Sequence, residues 1–76
     1  MPHLVLHFNP RDLNDAEIAV MAADLQQVLV RHLGTDVNAI SLAINPVSAD
    51  EWKEIVYDPL IRPALNRLYK APGYSF

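Results

Sequence analysis

The chain has no cysteine, two glycines, and only six lysines and arginines in 76 residues. Each scarcity removes a class of explanation. Without cysteine there is neither a disulfide framework nor a thiolate metal site, and the sequence fits a reducing compartment. Gly34 and Gly73 lie far apart, so there is no glycine-rich phosphate loop, and no Gly-x-Ser-x-Gly elbow surrounds any serine. The few cations are scattered and the net charge is −3, which leaves out the basic stripe that a phosphate backbone requires. Nucleic acid is therefore not an expected partner. No apolar run approaches the ~20 residues that cross a bilayer, and the N-terminus lacks the basic region and cleavage site of a signal peptide. No membrane is expected either, and the chain reads as cytoplasmic.

What is present is apolar side chain, 51% of the residues. A chain this short makes a single domain, residues 1–76, near the size at which too little surface is buried for comfortable stability alone. With disulfides and thiolate metal sites excluded, association is the remaining source of stability. The surplus of apolar residues points the same way, to an obligate oligomer.

Pro2 to Phe8 alternates, with Pro2, Leu4, Leu6 and Phe8 on one face and His3, Val5 and His7 on the other, the period of a half-buried strand. Asn9-Pro10-Arg11-Asp12 is a turn cluster. Asn14 with Glu17 makes a capping box, and Ile18, Met21, Ala22, Leu25, Val28, Leu29 and Leu33 recur at helical spacing until Gly34 ends the helix. Ala39 to Asn45 alternates again and predicts a second strand. A strand, a helix of about five turns and another strand form a crossover unit, so the two strands should be parallel and the connection right-handed. Ser48 with Glu51 predicts a second capping box and a helix through Trp52, Ile55 and Val56. Pro59 and Pro63 should break or kink that helix near Tyr57 to Arg62, with a further helical stretch through Ala64, Leu65, Leu68 and Tyr69. The tail from Pro72 to Phe76 cannot be helical, and its two aromatics should dock, on a partner subunit by expectation. Two parallel strands are not stable alone. The fold class is α/β (α+β), a β-α-β-α unit whose sheet is completed by dimerisation, two-fold symmetry being the commonest.

Pro2 is the residue with the most chemical promise. If Met1 is removed, it presents a secondary amine in phase with the apolar face of its strand. An α-amino group ordinarily titrates at about 7.7 to 8.0, and burial disfavours its charged form. A proline amine is more basic, so an apolar surrounding is what would free it near neutral pH, where general-base catalysis is most effective. The structural alternative is that proline simply begins a strand, where a missing N–H costs nothing.

The N-terminal Pro2, the β-α-β unit, Arg11 in the first turn and Trp52 after the second strand together resemble the 4-oxalocrotonate tautomerase family, in particular its short bacterial members. Met1-Pro2-His3, Pro10-Arg11, Val30-Arg31-His32-Leu33 and Pro72-Gly73-Tyr74-Ser75 carry the likeness, which spans the chain. The resemblance implies a cofactor-free isomerase that moves a proton between carbons of a keto or enol acid, with the proline nitrogen as base and then acid. By matching positions, Pro2 takes the catalytic role, Arg11 binds a substrate carboxylate, and Trp52 makes the site apolar. Ser41 departs from the pattern, because the founding enzyme of the family has an arginine there. A short neutral hydroxyl in place of a bidentate cation disfavours a dicarboxylate. It favours a monocarboxylate such as an arylpyruvate enol, its ring against Trp52 and Phe8, while in such short members the assembly is a dimer.

The remaining candidates carry less. His3 and His7 lie four apart in a strand, roughly 13 Å, too far to share a metal. His32 sits near a helix C-terminus, where a cation is favourable. Arg11 could instead be a solvated turn residue paired with Asp12 or Asp15, and Trp52 could be core. Two functional alternatives stand beside the tautomerase: a hydratase or dehalogenase acting on an unsaturated acid, and a non-catalytic dimeric interaction module.

Overall fold

A computed structural model describes all residues, Met1–Phe76. Strand β1 runs from His3 to Phe8, helix α1 from Asp15 to Leu33, strand β2 from Ser41 to Pro46, and helix α2 from Ala49 to Trp52. The strands pair in parallel, His3 opposite Ser41 and Phe8 opposite Pro46. This is the expected β-α-β-α arrangement. β2 begins later than the alternation suggested, because Asp36 accepts a 2.9 Å hydrogen bond from the Asn38 N–H and folds Val37–Ala39 into a short 3₁₀ turn. No helix is long and apolar enough to cross a membrane.

The ends of α1 follow from local chemistry. Asn14 Oδ1 accepts from the Glu17 N–H at 2.8 Å, and Glu17 Oε1 accepts from the Asn14 N–H at 3.1 Å, so both orphan donors are satisfied. At the other end Gly34 takes φ 62° and its N–H reaches the Val30 carbonyl. Only glycine enters that left-handed region without steric cost.

The hydrogen bonds between the strands fix which backbone edge is free. Ser41 N–H donates to the Pro2 carbonyl at 3.1 Å and Val47 N–H to the Phe8 carbonyl at 2.8 Å. In a strand each residue's N–H and C=O point the same way and alternate along the chain, so the even residues of β1 face β2. His3, Val5 and His7 therefore present their backbone groups along the open edge of β1. On the far edge of β2 the last residue is Pro46, whose missing N–H points away from β1, the position where a strand tolerates proline.

The second helix departs from expectation. α2 holds α-helical pairing only from Ala49 to Trp52, and the coil then widens into a π-helical segment, Lys53–Ile61, that passes through Pro59 without a break. The i→i+5 pairing, seen where Arg62 N–H bonds the Tyr57 carbonyl, moves the acceptor away from the proline ring that would strike it in an α-helix. The missing Pro59 N–H is the one that would pair with the carbonyl of Glu54, an exposed residue. After Arg62–Ala64, a 3₁₀ turn, the chain does not form the expected helical stretch: Leu65 to Arg67 are a turn, with Arg67 and Leu68 N–H both on the Ala64 carbonyl. Ser48 does not cap α2 by its side chain either; its hydroxyl donates to Glu51 Oε1 at 3.0 Å.

Full burial is confined to Val47, Val56 and Tyr57, at 8, 4 and 2% exposure. Two of the three, Val56 and Tyr57, lie in the π-helical segment. Leu4, Leu6 and Phe8 of β1 and Met21, Leu25 and Leu29 of α1 are only half-buried.

Candidate functional site

Pro2 sits one residue before β1, half-buried, with its carbonyl held by the Ser41 N–H. Met1 ahead of it is fully exposed. Pro2 borders none of the four cavities of the chain. Ser41 lies directly across the register, and its hydroxyl is 2.6 Å from His3 Nδ1. Strand alternation places that pair on the face opposite the Pro2, Leu4 and Leu6 side chains.

Phe8 and Arg11 lie at the other end of β1. Phe8 is half-buried, and Asn9 Nδ2 donates to the Val47 carbonyl at 3.1 Å, stitching the end of β1 to the residue that follows β2. Arg11 is in an exposed turn and borders an open cavity of about 570 Å³ with Pro10, Asp12 and Leu13. It enters neither ion pair of the chain, both of which centre on Asp58. Its guanidinium therefore has no protein carboxylate, and the pairing with Asp12 or Asp15 is not made.

Trp52 closes α2, half-buried, and borders two cavities. One, about 310 Å³, is formed with Asn9, Ala49, Tyr74 and Phe76. The other, about 630 Å³, is largely apolar and runs past Val5, His7, Val56, Ile61 and Leu68. His7 Nδ1 is buried there without a hydrogen-bond partner. The indole Nε1–H donates to the Tyr74 hydroxyl at 2.8 Å.

The tail docks on its own chain rather than awaiting a partner. Tyr74 and Phe76 pack against Tyr57, with ring centroids 5.9 and 5.0 Å away. Arg62 Nη2 donates to the Phe76 carbonyl at 3.2 Å, and its guanidinium lies 5.1 Å over the Tyr57 ring. Asp58 holds the cations of this corner: Lys53 Nζ at 2.9 Å and Arg62 Nη2 at 3.0 Å. The Lys53 hydrogen bond is the main reason its carboxyl lies below the ordinary 3.8; desolvation opposes it, and Arg62 adds to the lowering.

Within one protomer, then, the sequence-derived residues fall into three places: Pro2 with Ser41 at the start of β1, Phe8 with Arg11 past its end, and Trp52 at the end of α2. Tyr74 escaped the sequence reading as a site residue. The signal available was the single tryptophan, whose indole donor needs an acceptor when partly buried.

Relatives with curated names resemble the chain along its entire length. The protein from Pectobacterium carotovorum subsp. carotovorum (strain PC1) is 45% identical over 76 residues, all of both chains. That from Enterobacter sp. (strain 638) is 43% identical, and that from Escherichia coli O139:H28 is 37% identical, each over 75 residues and 99% of both chains. All three bear the name Tautomerase PptA. No protein-family profile matches the chain.

Proposed function

The chain belongs to the 4-oxalocrotonate tautomerase family, among its PptA-like short tautomerases, and from that premise we propose that it interconverts the keto and enol forms of a small α-keto acid such as an arylpyruvate. The amine of Pro2, freed by removal of the exposed Met1, takes a proton from the carbon beside the carbonyl and returns it. No cofactor enters the reaction. The observation that carries this reading is the full-length similarity to chains named tautomerases, with the proline at the head of β1 on its apolar side.

β1 spans six residues, roughly 20 Å, so Arg11 and Pro2 of one chain stand too far apart to hold the same small acid. A second copy removes the difficulty. Antiparallel pairing along the open edge of β1 sets Pro2 beside Phe8 and Arg11 of the partner subunit, and turns a marginal two-stranded sheet into a four-stranded one. The scant burial of a single protomer supports this, as does Pro46, which leaves the outer edge of β2 the poorer donor. Arg11 would then hold the carboxylate and draw charge from the forming enolate, with the ring of the acid on Trp52 and Phe8. Ser41 offers only a neutral hydroxyl, which suits a monocarboxylate.

The test is turnover of phenylpyruvate enol by protein whose intact mass shows the loss of Met1. Pro2→Ala should lower kcat/KM by about 100-fold or more, the ordinary contribution of a positioned general base. An undiminished rate in that variant refutes the proline mechanism.

A further inference from the structure

We propose that Tyr74 is a positioning residue of the catalytic site, whose hydroxyl fixes the indole of Trp52 in the orientation that receives the ring of the substrate; this rests on the tautomerase reading above. Trp52 has reason to need such a partner. It ends α2 at the point where the coil widens, it is only half-buried, and its indole has one polar atom, a donor. The Tyr74 hydroxyl, 22 residues further on, accepts that proton at 2.8 Å.

Tyr74, although 44% exposed, has contacts of its own that do not involve Trp52. Its ring lies 5.9 Å from Tyr57, which is 2% exposed, and 5.7 Å from Phe76. Phe76 in turn meets Tyr57 edge-on at 5.0 Å and is tied by its carbonyl to Arg62. The Tyr74 ring thus packs against two others, Tyr57 and Phe76, and the Arg62 bond to Phe76 holds that group together.

The geometry gives the orientation a consequence. Tyr74 borders the 310 Å³ cavity but not the 630 Å³ one, while Trp52 borders both. Trp52 is the residue the two cavities share, and the hydrogen bond ties its N–H edge to the tail that borders the smaller one. Were the bond lost, the N–H would turn to water and the indole would no longer be fixed.

The decisive variant is Tyr74→Phe, which keeps the packed ring and deletes only the acceptor. As Trp52 is the sole tryptophan, its emission reports on the bond directly. The expected result is a shifted emission maximum and a KM for phenylpyruvate enol raised about 3- to 10-fold, the span of one hydrogen bond, with kcat essentially retained. Trp52→Phe should raise KM similarly, and adding Tyr74→Phe to it should change nothing more. The inference is overturned if Tyr74→Phe has wild-type emission and KM while Tyr74→Leu alone is impaired, which would make the tail mere packing. It is equally overturned if Tyr74→Phe keeps its full effect in the Trp52→Phe background, or if phenylpyruvate leaves Trp52 emission unmoved. Binding of phenylpyruvate followed by emission separates the two levels: weaker binding by Tyr74→Phe in a protein that turns over no keto–enol acid would refute the tautomerase reading and uphold the role of Tyr74.

Discussion

The Ser41 hydroxyl stands 2.6 Å from Nδ1 of His3, straight across the parallel register that joins β2 to β1. The side-chain oxygen closest in sequence register to the N-terminal proline is therefore shared with a neighbouring side chain rather than held ready for a ligand. A hydroxyl already engaged gains less from a substrate carboxylate than a free guanidinium would. Ser41→Ala should accordingly lower kcat/KM for an arylpyruvate enol by no more than about threefold, under one ordinary hydrogen bond. Arg11→Ala should cost more, in kcat as well as in KM, since a charged contact is worth roughly twice a neutral one and the same charge steadies the forming enolate. Steady-state kinetics of the two variants side by side check the order.

Asp58 gives the fold an acid-sensitive corner. Its carboxyl is depressed below 3.8, chiefly through the Lys53 hydrogen bond and then through Arg62. A group whose folded-state pKa is lowered stabilises the fold wherever the unfolded chain would ionise it, and that contribution disappears as pH falls through the folded value. Wild type should therefore exceed Asp58→Asn in thermal midpoint near neutrality. The difference should close below about pH 4 and shrink in high salt, since both partners are solvated. Thermal unfolding of the two proteins across pH 3 to 7 measures it. Because Arg62 also ties down Phe76, the same variant should loosen the tail, visible as a change in Trp52 emission.

Gly34 is the clearest test of the backbone. It holds φ 62° at the end of α1, with no atom within 4 Å of where a side chain would begin. Gly34→Ala thus meets no obstruction, and its cost is the left-handed conformation alone, about 1 to 2 kcal/mol. Gly34→Asn should cost less, because asparagine tolerates that region. At the other end Asn14→Ala removes a cap and should cost about 1 kcal/mol. Denaturant titration of the three variants reads these differences.

Those two ends of α1 are also where the sequence was most legible, for a local reason. Asn14, Glu17 and Gly34 act on backbone groups a few residues away, so their chemistry is written in adjacent letters. The parallel pairing of β1 and β2 was legible through the alternation of both segments and the helix between them. Pro59 was not, because its effect depends on hydrogen-bond pairing having already shifted to i→i+5 at Lys53, and no residue there announces the shift. The partner of Trp52 was hidden for the same kind of reason: a contact across 22 residues depends on where the tail returns. For the candidate site the sequence offered residue types only; that Pro2 and Arg11 lie at opposite ends of β1 is a matter of the fold.

The proposed pairing of two chains along β1 can be tested at one backbone atom. The odd residues of β1 direct their N–H groups to the open edge, as the bonds from Ser41 to Pro2 and from Val47 to Phe8 require for the even ones. Val5→Pro removes a donor from that edge while sparing every bond to β2, and edge strands accept proline. Its side chain is 45% exposed in the protomer, so little packing is lost. If two chains join along β1, Val5→Pro should shift the protein from dimer to monomer in sedimentation equilibrium and abolish tautomerase activity, with its helical circular dichroism largely preserved. Leu6→Pro is the contrasting variant. It takes a donor from the β1–β2 ladder and faces the apolar side, so it should unfold the chain outright. A Val5→Pro protein that remains dimeric and active would move the interface off this edge, to the exposed side of α1 at Val20 and Val28. Activity that survived in a true monomer would mean that Pro2 needs no residue from a second copy.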